Sequence, residues 1–196
     1  MSATKGDERR SALLEALEDH LHESSLDDIN IADISQRAGV TRSAFYFYFE
    51  NKAAAVAALY EEMYAEGFDA AEVLGGAGTV RDRIASAIDA IFHGWAQRTH
   101  LYRAILDARA ASPAVRDQWD ALQQSYVDVV AALITSEREV GAAPDGPDAH
   151  ALATALLDLN DRTLGRVVHA PAGFDVDEHL ESVVHVWMAS IYGRTA

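Results

Sequence analysis

The 196-residue chain has no cysteine, which excludes disulfide frameworks and thiolate metal sites and permits a reducing compartment. No apolar run approaches the ~20 residues that a membrane helix needs, and the opening MSATKGDERRSALLEALEDH lacks the apolar core of a secretory signal. The expected location is therefore the cytoplasm, with no membrane partner. Positive charge is also scarce: 16 Lys/Arg face 31 Asp/Glu, for a net charge of −15. That sign counts against bulk nonspecific binding to nucleic acid, because affinity for a duplex comes largely from neutralising phosphates. No alternating apolar pattern of useful strand length occurs either, so the expected fold is all-α. Apolar residues are plentiful at 49%, enough for a sizeable core in one compact body or two.

Residues 31 to 52, IADISQRAGVTRSAFYFYFENK, carry the densest local signal. Asn30 is placed to cap a first short helix, with Asp33 in the turn where a carboxylate suits the positive end of the helix dipole. Ile31, Ile34 and Ala38 share one face of it. Gly39 suits the left-handed conformation that stops one helix and redirects the chain, Val40 plugs the angle, and Thr41 can cap the next helix. Two helices joined by so short a turn have helix-turn-helix spacing. The second would present Thr41, Arg42, Ser43 and Ala44 at its start, where a recognition helix reaches base edges in the major groove. Tyr46, Tyr48 and Lys52 offer hydroxyls and a charge suited to phosphate oxygens, while Phe45 and Phe49, four apart, point inward. The expected partner is double-stranded DNA. Residues 1 to 60 nevertheless hold six Lys/Arg against ten Asp/Glu, so Arg42, Lys52, Arg37 and also Lys5, Arg9 and Arg10 would have to face the duplex while the acids face away.

The segment AGVTRSAFYFYFENKAAAVAAL resembles the DNA-binding signature of TetR-type transcriptional repressors, with the turn at 38–40, the hydroxyl of Thr41, the Tyr46/Tyr48 pair, Phe49 and Lys52 all in register. Ser35 departs from the alanine usual there, and Ile31 and Ala32 offer no side-chain donor at the head of the first helix. Outside this part, EREVGAAP at 137–144, HALATAL at 150–156, LNDRTL at 159–164 and VHVWMASIYG at 184–193 resemble the branch of the family that governs ethionamide activation. The resemblance implies a helix-turn-helix domain over 1–52 and a helical ligand-binding and dimerisation domain over 53–196, with about nine helices in all.

Periodicity places the other helices at about 7–23, 51 into the seventies, from 79 past Trp95, 101–110, 113–140, from the loop at 144–147 to about 169, and 175–192, with 171–174 as a linker. Ile84, Ile88, Phe92 and Trp95 form one stripe; Trp119, Leu122, Gln123, Tyr126 and Val130 form another; Leu156, Asn160 and Leu164 form a third. By resemblance these stripes line a long apolar channel for a small hydrophobic effector, and Asn160 matches a residue that hydrogen-bonds ligands in the family. Trp187 faces either that channel or a subunit interface. Val183, Val184, Met188 and Ile191 make the last helix apolar over more than one stripe, and one of those stripes is expected to meet a second copy of the chain. A homodimer also follows from geometry, since one recognition helix covers few base pairs and two half-sites about one turn (~34 Å) apart need two-fold related readers.

Each feature has a plainer use. Aromatic stripes at helical spacing are most often core. Asn160 reads equally as a buried amide bonded to backbone, and Tyr46 and Tyr48 as packing residues. The eight histidines show no ligand spacing, and no metal site or cofactor is expected. No Ser/His/Asp grouping, HExxH or carboxylate pair marks an enzyme. The expected protein is a homodimeric repressor released from a palindromic operator by an elongated apolar effector. The rival is a helical sequestering or protein-interaction scaffold without sequence-specific DNA binding.

Overall fold

The computed structural model describes residues 5–67, 70–170 and 175–193. Among the described residues there are ten helices and no strand: α1 (Lys5–Glu23), α2 (Ile31–Arg37), α3 (Arg42–Tyr48), α4 (Lys52–Gly67), α5 (Ala70–Gly75), α6 (Val80–Gln97), α7 (Thr99–Ala111), α8 (Pro113–Glu139), α9 (Ala149–Val168) and α10 (Val176–Tyr192). The single helix expected from 51 into the seventies is instead α4 and α5, which accounts for the tenth element. The linker expected at 171–174 lies outside the described residues.

Polar residues at the helix starts set several boundaries. Asn51 Oδ1 accepts from the Ala54 amide at 2.9 Å to begin α4. Thr79 and Asp82 bond reciprocally at the head of α6: the Asp82 amide donates to Thr79 Oγ1 (3.1 Å) and the Thr79 amide to Asp82 Oδ2 (3.3 Å). Asp148 and Asp175 accept from the amides of Ala151 and Glu178 to start α9 and α10. Pro113 occupies the first position of α8, where its missing N–H costs no helical bond.

The helices pack as two compact units, Met1–Gly67 with Arg98–Trp119, and Phe68–Gln97 with Asp120–Ala196. The sequence motif ends at residue 52, but the packing division falls later because Ala55, Val56 and Leu59 of α4 are buried within the first unit, where α4 contacts α1 and α7. Hydrophobic spacing shows that a face is buried and leaves open which neighbour covers it. In the first unit, Leu13, Leu14, Leu17 and Leu21 of α1 pack with Ile34, Phe45, Leu101 and Ile105, all buried. In the second unit, α6 packs on α5, α9 and α10, burying Ile84, Ile88, Phe92, Leu156, Leu180 and Trp187. That unit also holds a largely buried Arg83–Glu137 ion pair at 3.8 Å. Burial first, and the Glu137 carboxylate second, raise the Tyr192 hydroxyl above its usual titration range.

Candidate DNA-reading surface and effector site

The turn between α2 and α3 closes as the sequence implies. Gly39 has φ +66, the Val40 amide donates to the Ser35 carbonyl at 2.9 Å, and the Gly39 amide donates to the Gln36 carbonyl at 3.1 Å. This paired 6→1 and 5→2 pattern satisfies the last carbonyls of α2. Ser35 is 2% exposed and sends its hydroxyl to the Ile31 carbonyl at 2.7 Å, so a polar side chain sits satisfied where alanine is usual. Thr41 Oγ1 accepts from the Ala44 amide at 3.2 Å and caps α3. Asn30 does not cap α2 with its side chain. Only its carbonyl engages, accepting from Asp33 and Ile34, and the segment is fixed instead by buried Ile29.

On α3 the inward and outward faces separate cleanly. Phe45 is wholly buried and stacks against buried Phe49 with ring centroids 5.5 Å apart. Thr41, Arg42, Ser43 and Tyr46 are exposed, and Ala44 and Tyr48 are half-buried. Arg42 lies along this outer face, with Nη2 donating to the Tyr46 hydroxyl at 3.3 Å and its guanidinium 5.7 Å from the Tyr46 ring. Phe47 escaped the sequence reading. It is 81% exposed, the most exposed large apolar side chain among those described, and packs edge-on to Tyr48 at 5.0 Å. Its position between two tyrosines was the available signal, because residues 45 and 49 point inward and 47 therefore cannot.

Half of the six cations expected on this surface are committed elsewhere. Lys52 was expected to meet phosphate, yet its Nζ donates to the carbonyls of Leu26, Asp27 and Ile29 at 2.5, 3.1 and 2.7 Å. All three ammonium donors are thereby used to hold the segment that leads into α2. Arg37 faces Glu23 and Asp19 of α1 at 3.5 and 3.9 Å. Arg10 pairs with Glu62 and sits 5.7 Å from the Phe49 ring centroid. Arg42 stays outward, and Lys5 and Arg9 are exposed on α1.

In the second unit the expected effector residues lie on α6, α8, α9 and α10, of which α6, α9 and α10 pack on one another. Ile84, Ile88, Phe92, Trp95, Val130, Leu156, Leu164 and Trp187 are buried, and Leu122, Gln123 and Tyr126 are half-buried. Asn160, 7% exposed, is buried among them, and its Oδ1 accepts from Trp187 Nε1 at 2.9 Å. An indole nitrogen only donates, so this bond fixes the amide orientation and turns the Asn160 NH2 group away from Trp187. Trp187, read from the sequence as facing either a channel or an interface, is 3% exposed and bonded to Asn160. Trp119 does not join that group within its unit. It lies in the first unit, stacked on Tyr60 with centroids 5.2 Å apart and with the Arg109 guanidinium 4.5 Å from its ring. The apolar stripe along α8 crosses the unit division, which periodicity cannot reveal.

The expected partner-facing residues of α10 need correction. Val183, Val184, Met188 and Ile191 are 4%, 6%, 6% and 1% exposed, so this stripe is buried inside its own chain, where α10 packs on α6 and α9. The outward face of α10 instead carries Glu181, Ser182, His185 and Val186, the last 41% exposed. An apolar helix reads as needing two buried faces, and spacing alone cannot say which face is the inner one.

A capped, glycine-turned helix pair presenting hydroxyls, one arginine and aromatic rings, joined to a helical unit with an oriented buried amide, defines a helix-turn-helix transcriptional regulator. Residues 13–59 match the tetR family of bacterial regulatory proteins, and the chain belongs to that family. Residues 84–193 match the C-terminal domain of the transcriptional regulator EthR. The HTH-type transcriptional regulator EthR of Mycobacterium tuberculosis is 35% identical over 96% of this chain and 89% of its own length. Its counterpart in Mycolicibacterium smegmatis is 33% identical over 96% and 88%. Among solved structures, FadR from Bacillus subtilis in complex with stearoyl-CoA superposes with a TM-score of 0.76 at 19% identity, covering 94% of this chain and 99% of that one. NalD, the secondary repressor of the MexAB-OprM multidrug efflux pump in Pseudomonas aeruginosa, superposes at 0.70 with 20% identity over 94% and 96%. These relatives are regulators and not enzymes. Among the described residues, no helix is long and apolar enough to cross a membrane.

Proposed function

We propose that this chain is a homodimeric repressor that occupies a palindromic operator through α3 and leaves it when an elongated apolar effector enters the second unit. The observation that carries the reading is the outward face of α3, where Arg42, Ser43, Tyr46 and Phe47 are exposed on a helix held from behind by buried Phe45. Arg42 and Ser43 at the first turn suit base edges, and the tyrosine hydroxyls suit phosphate. Phe47 supplies an apolar surface of the kind that meets thymine methyls. Of the committed cations, Lys52 acts by holding the α2 entry.

Effector recognition rests on the Asn160 amide. With its carbonyl bonded to Trp187, its N–H groups face a ligand acceptor, so the favoured effector is a long apolar molecule carrying one carbonyl. FadR from Bacillus subtilis, which shares the fold, is solved with stearoyl-CoA, whose stearoyl chain alone has this long apolar character. The effector must prefer the conformation that does not hold operator; a hundredfold preference corresponds to about 2.7 kcal/mol of coupling. Dimer contacts belong on the outward faces of α9 and α10, including Val186.

Selection of bound fragments from the source genome by the purified protein should return a two-fold symmetric site. Tyr46→Phe should weaken its binding about tenfold in a mobility-shift titration, through a lost phosphate hydrogen bond and a less fixed Arg42. Symmetric fragments that bind wild type and the double variant Arg42→Ala/Tyr46→Phe equally would remove α3 as the reader. Asn160→Ala should leave operator affinity alone and abolish release by neutral apolar carbonyl compounds. Normal release would end the amide's role.

A further inference from the structure

The first unit contains a cluster that neither the sequence spacing nor the regulatory reading uses. Glu18 and His22 lie four apart on α1 and therefore share one face near its end. His100 lies in the first turn of α7, which packs on α1. One ligand atom from each of Glu18, His22 and His100 lies within 4.8 Å of the others. Glu18 Oε1 and His100 Nε2 are 3.5 Å apart. Two ligands of a tetrahedral ion at ~2.0–2.1 Å stand about 3.3 Å from each other, so this pair is already at ligating separation.

We propose that Glu18, His22 and His100 form a three-ligand site for a divalent transition-metal ion, zinc foremost, that ties the end of α1 to the start of α7. The donor set of two imidazoles and one carboxylate suits zinc, cobalt or nickel and disfavours the all-oxygen preferences of magnesium and calcium. His100 Nε2 is buried, and its approach to Glu18 Oε1 at 3.5 Å is too poorly aligned for a well-formed hydrogen bond, which an ion held between the two would replace. The His22 and His100 rings lie with centroids 3.6 Å apart at 33°, so a rotation of His22, whose side chain is exposed, completes the set. The cluster borders a cleft of about 440 Å³ lined by Leu21, Ser24, Thr99, Arg103 and Asp107, among others, which provides an entry path and room for a water as fourth ligand.

The test uses untagged, full-length protein stripped with chelator. Titration with Co2+ should give the intense visible bands of a tetrahedral site at one equivalent per chain, displaced by Zn2+, and Zn2+ should raise the midpoint of thermal unfolding. His22→Gln and His100→Gln should each weaken Zn2+ binding tenfold or more, with Glu18→Gln in the same direction. His185→Gln, on the exposed face of α10, should change nothing. If His100→Gln fails to fold by circular dichroism, the exposed His22 and the part-exposed Glu18 decide the matter. Absence of binding at 100 times the protein concentration, or equal binding by wild type and the Glu18→Gln/His22→Gln double variant, overturns the proposal.

Discussion

Lys52 in the first unit and Asn160 in the second are both polar groups set into apolar surroundings, and they are used in opposite ways. Lys52 has three donors and all three meet backbone carbonyls, so nothing remains for a ligand. Asn160 has its acceptor engaged by Trp187 and its donors uncommitted by that bond. A polar group that is fully satisfied fixes shape, whereas one half of which is satisfied is both positioned and able to bind. The reader unit therefore places its fixed polar contacts behind its outward face, and the second unit keeps one amide whose donors that bond leaves open.

The sharpest way to break this contrast is to remove Lys52. Lys52→Met should cost about 3 kcal/mol of first-unit stability in urea unfolding, because charge-assisted bonds to three carbonyls disappear together. The folded fraction should keep most of its operator affinity; a large affinity loss with unchanged stability would make Lys52 a phosphate contact after all. Next in size, Asn160→Leu should cost about 2 kcal/mol by leaving the Trp187 indole N–H buried without an acceptor. Removing both partners together, in Asn160→Leu with Trp187→Phe, should cost less than the sum of the single changes. A third comparison uses glycine. Gly39 has φ +66 with nothing within 4 Å of an added Cβ, so Gly39→Ala should cost about 1 kcal/mol from backbone strain alone. Gly94, inside α6 and equally open around its Cβ position, should give the opposite sign, with Gly94→Ala stabilising by about 0.5–1 kcal/mol.

The smallest effect concerns acidity. His100 titrates below its usual 6.5 because of burial first, with His22 and Arg98 adding to the shift and Glu18 opposing it. The unfolded chain therefore binds more protons than the folded one between the lowered value and 6.5, and stability should fall as pH drops through that window and be fully present above it. His100→Gln should flatten the difference between pH 7 and pH 5.5 in thermal unfolding relative to wild type. An unchanged slope would assign it to other groups.

Much of the reader was legible because its determinants are local. Gly39, Thr41 and the Phe45/Phe49 pair act on residues within five positions of themselves, and the structure places each as its type requires. What could not be read depends on distant partners. Lys52 looks like a phosphate ligand until the segment at 26–29 folds against it, and Arg37 looks free until α1 brings Asp19 and Glu23 alongside. On α10 the apolar pattern was correct and its direction was not, since Val183, Val184, Met188 and Ile191 all turn inward. His22 and His100 are too far apart in the chain for any spacing rule to join them. The Asn160 cluster lies between, for the stripe was visible but the indole that orients the amide comes from another helix.

The pairing of Arg10 and Arg37 with carboxylates, and of Lys52 with backbone carbonyls, bears on how the protein finds its site. Each phosphate neutralised releases condensed counterions, and the steepness of binding against ionic strength counts those events. A reader that meets DNA through hydroxyls, rings, Arg42 and no cations beyond the exposed Lys5 and Arg9 frees few of them. It should therefore slide little on random duplex, tolerate high ionic strength, and owe its residence on the operator to fit more than to attraction.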